Sequence, residues 1–412
     1  MGDAESASDD SQRTTARPEE SRRDPNVTAV QLRAWLASML PEGSDPTVES
    51  VTVPESNGMS SETVLFEATW IDVAGEGDRS THELVARIAP SPSSVPVFES
   101  YDLSMQFNTM AAVRELSDVA VPEVLWLEES PVALGAPFFI MRRAHGQVPP
   151  DLMPYNFDGS WVKAGTPAQL SRLEESTIDV LVALHAIDDA AERFAALAPD
   201  GGDADAAGPG EPTRAGSSRG GSALRRHVAA QRAYYEWVTA DGRRSPLIER
   251  AFDWLDEHWP ADDTDVVLSW GDSRIGNIVY RNFEPVAVLD WEMASLAPRE
   301  VDLAWLIFLH RFFEDVASTL EIEGMPEFLR RDRIEELYEQ RSGHSPKEMD
   351  FYLVYAALRH AVVMSQVQRR AIAFGSAEMP DDVDDLIMHR AALEEMLSGT
   401  YWDRVLHPGS VT

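Results

Sequence analysis

An α+β fold in two lobes is what this sequence predicts, and three observations carry the prediction. From Val51 to Met141, short runs of alternating apolar residues flank a single helical stretch, the pattern of a small antiparallel sheet with one main helix. Beyond Pro149 and Pro150, apolar residues recur at helical spacing, as in Leu173, Ile178, Leu181 and Leu184. Within that larger, mainly helical part, short strand-like runs enclose a polar loop, Trp270 to Asn277.

Residues 1–27 are rich in Ser, Asp, Glu and Arg without apolar periodicity, which predicts a disordered tail. Alternation through Val51 and Val53, through Val64, Phe66, Ala68 and Trp70, and through Leu84, Ala86 and Ile88 predicts three antiparallel strands. A helix is expected over Tyr101 to Leu116, then strands at Glu123 to Glu128 and Pro137 to Met141, completing an N-terminal lobe over residues 28–145. The C-terminal lobe, residues 146–412, begins its helices at Ala168 to Ile187. Residues 190–222, dominated by Ala, Gly, Asp and Ser, read as a flexible insertion. Helices resume at Leu224 to Thr239 and Pro246 to Trp259. Val266 to Leu268, Ile278 to Tyr280 and Val286 to Leu289 are short strands, and the chain from Arg299 towards Leu397 is helical again.

A formal charge of −35 and a pI near 4.5 argue against nucleic acid and against an anionic membrane, which are bound by basic surfaces. An acidic cleft can concentrate cationic substrates, but here the acid excess runs from Asp9 to Asp403, the distribution of general solubility or salt adaptation. Without Cys, disulfides and thiolate catalysis are excluded. No apolar run reaches the roughly 18 residues of a spanning helix, and the start is polar, so a cytoplasmic protein is expected. A Walker A loop, a Gly-x-Ser-x-Gly elbow, a His-Glu-x-x-His helix and an early dinucleotide fingerprint are all missing.

Phosphoryl transfer calls for a carboxylate near the attacking hydroxyl and hard oxygen ligands for a divalent cation. The run Trp270, Gly271, Asp272, Ser273, Arg274, Ile275, Gly276, Asn277 contains Asp and Asn, and Asp290 follows at the end of a Val-Ala-Val-Leu strand. An Asp and an Asn in one turn are commonly simple turn formers. Here Asp290 and the later Glu300, Val301, Asp302 set them in a larger pattern. That pattern resembles the aminoglycoside phosphotransferase family, part of the protein-kinase-like group, whose catalytic loop reads His-x-Asp-x-x-x-x-Asn before a metal-binding Asp.

The resemblance implies a two-lobed protein-kinase-like fold and ATP-dependent phosphoryl transfer to a hydroxylated small molecule. Asp272 would orient the hydroxyl and accept its proton, Arg274 would stabilise developing charge, and Asn277 with Asp290 would hold Mg²⁺. Asp302 would brace the loop. In the N-terminal lobe the same resemblance places Ser60 and Ser61 in a phosphate-covering hairpin and Arg87 on the nucleotide phosphates. It makes Phe138 to Gly146 the hinge, with Phe139, Met141 and Arg143 around the adenine. His145 reads as a hinge surface residue and His185 as packing and capping. Two departures stand out: Trp270 replaces the loop His, and Gln106 occupies the place of the Glu that would pair with the third-strand cation. An indole donates but cannot accept, and a neutral amide pairs weakly with a cation. A nucleotide-binding module without turnover is the alternative they leave open.

Overall fold

The computed structural model describes residues 23–53, 61–73, 77–90, 95–197 and 221–406. The first element, α1 (Pro25–Met39), starts where the Asp24 carboxylate accepts from the Asn26 N–H and Pro25 pre-sets the first turn. Pro25 to Val27, expected in the tail, are therefore helical, and residues 1–22 lie outside the described residues. The helix itself is not among the expected elements; its signals are the Asp24, Pro25 start and the Leu32, Trp35, Leu36 spacing.

The N-terminal sheet contains β1 (Thr47–Thr52), β2 (Glu62–Ile71) and β3 (Arg79–Ile88), then, after α2 (Leu103–Leu116), β4 (Val124–Glu128) and β5 (Phe138–Arg142). Its order is β1-β2-β3-β5-β4, with every neighbouring pair antiparallel. One face buries Val64, Phe66, Leu84, Ala86, Phe138 and Ile140 against Leu32, Trp35 and Leu36 of α1. Side chains alternate along a strand, so Arg87, Phe139 and Met141 take the other face, where Phe139 and Met141 join the core shared with α2 and the helical lobe.

The helical lobe runs through α3 (Pro167–His185), α4 (Ala190–Arg193), α5 (Ala223–Val238) and α6 (Pro246–Glu257). A reciprocal cap between Thr166 and Gln169 starts α3. Residues 190–197, expected in the flexible insertion, form α4 and a following 3-10 turn; Ser222 caps α5; residues 198–220 lie outside the described residues. Four short strands come next: β6 (Val267–Ser269), β7 (Ile278–Arg281), β8 (Glu284–Val288) and β9 (Ser295–Ala297), of which β9 is not among the expected elements. β6 pairs with β9 and β7 with β8. The chain then forms α7 (Glu300–Thr319), α8 (Arg331–Ser342), α9 (Met349–Ala373), α10 (Arg390–Ser398) and α11 (Tyr401–Leu406). Both α7 and α9 are buried along most of their length, so the site rests on the interior of the lobe. Among the described residues no helix is long and apolar enough to cross a membrane.

Two of the contacts between the lobes lie at the hinge and in the segment between β3 and α2. At the hinge, Gln147 exchanges backbone hydrogen bonds with Tyr280, and a Cβ on Gly146 would lie 2.3 Å from the Tyr280 carbonyl oxygen, so only glycine fits. Between β3 and α2, the carbonyls of Pro96 and Val97 accept from Gln366 of α9 and Tyr234 of α5, each at 2.7 Å.

Candidate active site

The loop after β6 is shaped by one buried carboxylate. Asp302, in the first turn of α7, accepts from the Ser269 hydroxyl (2.8 Å), the backbone N–H groups of Trp270 (2.8 Å) and Gly271 (2.9 Å), and His185 Nε2 (3.0 Å). Burial pushes this carboxyl up, but the hydrogen bonds from His185, Gly271 and Trp270 outweigh it and hold Asp302 below the usual carboxylate range. His185, the last residue of α3, also contacts the Tyr338 hydroxyl at 2.8 Å, so it supports the loop through Asp302 rather than simply packing. Gly271 has φ +90°, and a Cβ there would lie 2.0 Å from the Met293 carbonyl oxygen.

Trp270, the departure from the family motif, is almost wholly buried, and its indole donates to the Leu289 carbonyl at 2.9 Å. The loop is thus tied directly to the residue before Asp290. Leu289 in turn donates its N–H to the Asn277 carbonyl at 2.8 Å, closing the loop onto the end of β8.

Asp272 projects from this frame into the cleft. Its Oδ1 accepts from Trp305 Nε1 at 2.7 Å, its Oδ2 from Asn277 Nδ2 at 2.6 Å, and both from Arg274 Nε at 3.1 Å. Arg274 also donates Nη1 to Asp151, in the segment after the hinge, and the pair lies over Gly276, where a Cβ would meet Arg274 Nη1 at 2.5 Å. Burial pushes the guanidinium down, but Asp272 and Asp151 more than offset it and raise its pKa. A small pocket opens beside it, lined by Tyr155, Gly276, Leu306, Leu309 and Phe313.

Asp290 follows β8 with φ +58°, unusual for a residue with a side chain. Its Oδ1 accepts from Arg87 Nη2 at 3.1 Å, and the same nitrogen lies 3.8 Å from Glu292; Arg87 Nη1 reaches Thr63 at 3.2 Å. The expected partnership of Arg87 with Gln106 is not what the structure brings together. Gln106 is buried on α2, while the long guanidinium fork spans the cleft to two carboxylates. Phe139 stands opposite Arg87 in the β3–β5 register and Met141 opposite Val85. Arg143, one residue past β5, is exposed. Ser61 is buried at the start of β2, with no hydrogen-bond partner for its hydroxyl among the described residues; Ser60 lies outside them. His145 is exposed and contacts Glu83 at 2.8 Å.

Sequence reasoning finds the loop residues but misses Asp151, Glu292, Trp305 and Arg359. Only Trp305 had a local signal, standing one helical turn beyond Asp302 on the same face of α7.

A small five-stranded lobe, a backbone hinge and a helical lobe presenting an Asp-Asn-Asp loop define a kinase-like phosphotransferase fold. The model of the phosphotransferase enzyme family (APH) matches residues 57–335, and the chain belongs to that family. The solved structure of a candidate aminoglycoside phosphotransferase from Ralstonia eutropha shares the fold, with a TM-score of 0.58, 20% identity, and coverage of 91% of this chain and 98% of that one. Among curated proteins, IBR3 of Arabidopsis thaliana, which carries the name of an acyl-CoA dehydrogenase, is 25% identical over 283 residues, 66% of this chain and 30% of its own length. Human acyl-CoA dehydrogenase family member 11 is 22% identical over 222 residues, 53% of this chain and 24% of its own length. The chain therefore spans less than a third of these two relatives.

Proposed function

We propose that the protein transfers the terminal phosphoryl group of ATP, with Mg²⁺, to a hydroxyl of a small molecule. The observation that carries this reading is the convergence on one cleft of Asp272, Asn277 and Asp290 from the helical lobe with Arg87 from the sheet. The acceptor oxygen forms a bond to the terminal phosphorus as the bond to the bridging oxygen breaks. ADP leaves, and the hydroxyl proton passes to Asp272. Arg274 supplies positive charge beside the transferring group, and Arg87 supplies it on the nucleotide side. Phe139 and Met141 offer apolar surface to the adenine, Arg143 lies at the hinge edge, and Ser60 and Ser61 cover the phosphates.

The residues present fit a magnesium ion. The Asn277 amide nitrogen is committed to Asp272, which directs its Oδ1 elsewhere, and Asp290 adds a carboxylate. Among the described residues no group of three or more His, Cys, Asp or Glu could hold a metal. Two protein oxygens completed by phosphate and water is the usual arrangement for this ion. When bound it neutralises phosphate charge.

A nucleotide-binding module without turnover is the second reading, favoured by one observation: both oxygens of Asp272 and one of Asp290 already accept hydrogen bonds. Acceptor-dependent ADP release across aminoglycosides, other hydroxylated metabolites and hydroxylated acyl thioesters separates the two; the acyl thioesters enter because of the relatives' names. With a responding acceptor, Asp272→Ala lowers kcat by about 10² to 10⁴, the usual worth of a general base, with ATP affinity retained. ATP binding without ADP release from any acceptor would favour the module.

A further inference from the structure

Three donors hold the Asp272 carboxylate, and they differ in what else they serve. Arg274 also bonds Asp151 and stands where the phosphoryl group passes; Asn277 is a cation ligand in the proposed reaction. Trp305 has neither commitment. It is 3% exposed, and its indole N–H ends on Asp272 Oδ1 at 2.7 Å. Its place on α7 is itself fixed: Asp302, one turn earlier, bonds the loop backbone, and the Arg359 guanidinium of α9 lies 4.5 Å from the Trp305 ring centroid. Arg359 is fully buried and donates Nη2 to the Gly271 carbonyl at 3.1 Å, while its Nε and Nη1 have no hydrogen-bond partner among the described residues. Arg359 therefore clamps the ring and the loop together from behind. A leucine or phenylalanine could fill the same space, but neither offers an N–H to the carboxylate.

We propose that Trp305 is a positioning residue, holding the Asp272 carboxylate in the orientation from which it meets the acceptor hydroxyl whatever Arg274 and Asn277 contact. This rests on the phosphotransferase reading, because it assigns Asp272 its role in transfer. The test uses the full chain. Trp305→Phe keeps a ring for Arg359 and removes the N–H; kcat should fall by about tenfold to a hundredfold, the range for losing a hydrogen bond to a charged group. The nucleotide KM should stay within about twofold, since binding before transfer is untouched. Trp305→His should recover part of the loss, because the imidazole superposes on the five-membered ring of indole with Nε2 in the place of Nε1. It also serves as the second variant if the phenylalanine form does not fold. Independently of turnover, the Trp305 indole N–H resonance, identified by its absence from Trp305→Phe or Trp305→His, should move in Asp272→Ala. A resonance that does not respond, or a Phe variant with unchanged kcat, overturns the assignment. If no acceptor is turned over by the wild type, the phosphotransferase reading fails, while the resonance still reports on the contact.

Discussion

On the helical wall of the cleft, Ser269, Trp270, Gly271 and His185 converge on one buried carboxylate, Asp302, whereas on the sheet wall Arg87 leaves its strand to reach Asp290, Glu292 and Thr63. The first arrangement sits in the interior and is complete without any ligand. The second consists of charges at a partly open cleft, which a bound polyphosphate and its cation would redistribute. Damage to the helical wall should therefore be read in stability and turnover, and damage to the sheet wall in nucleotide affinity.

Asp302→Ala breaks that contrast at its strongest point. It strands the N–H groups of Trp270 and Gly271 and the His185 ring in the interior, and removing one partner of a buried pair costs about 3 to 5 kcal/mol. Urea unfolding should show that loss. A change below about 1 kcal/mol, the worth of an exposed ion pair, would mean that the loop is held by something else.

How much could be read in advance follows the same division. Alternation marked β2 and β3, and the run after Gly135 marked β5, because the period of a strand and its bounding turns are local properties. The spacing of Asp272, Asn277 and Asp290 was legible for a similar reason: one loop and one short hairpin carry all three. The partners of Arg87 and Arg274 were not, because Asp290 lies 203 residues from Arg87 and Asp151 lies 123 residues from Arg274. Which carboxylate a long guanidinium reaches depends on the closure of the lobes, and no local pattern encodes that. Trp305 could not be read as a donor to Asp272, since the direction of its indole N–H is set by Arg359 and the packing of α7 against α9.

The interior of the helical lobe makes a further demand on pH. His227, His310 and His389 are buried, and burial is the leading cause that lowers them to about 3, about 3 and about 4; His360, next to His389, is also pushed well down. The folded state therefore binds fewer protons than the unfolded chain, whose histidines titrate near 6.5. Stability from these groups is fully present above that value and is lost as pH falls below it, towards the folded values. Each contributes about 1.4 kcal/mol per pH unit across that window. The urea midpoint should fall between pH 7 and pH 5, and His389→Gln should make the fall shallower by about one histidine's share. An unchanged slope would mean that His389 is charged in the folded state.

Arg87→Gln should have the smallest effect on stability and sharpens the comparison most. The pair with Asp290 is mostly buried but borders the cleft, so its loss should change unfolding by about 1 to 2 kcal/mol, well under the loss expected for Asp302→Ala. If the sheet wall serves the nucleotide, KM for ATP should rise by about tenfold, the effect of removing one charge-assisted contact, and more weakly at high salt. Gln106→Glu with Arg87 in place should leave KM for ATP within about twofold, because Gln106 is not the residue that Arg87 meets. A clear gain of ATP affinity in Gln106→Glu would instead revive the pairing implied by the family resemblance, and would mean that Arg87 leaves Asp290 for α2 once the nucleotide is bound.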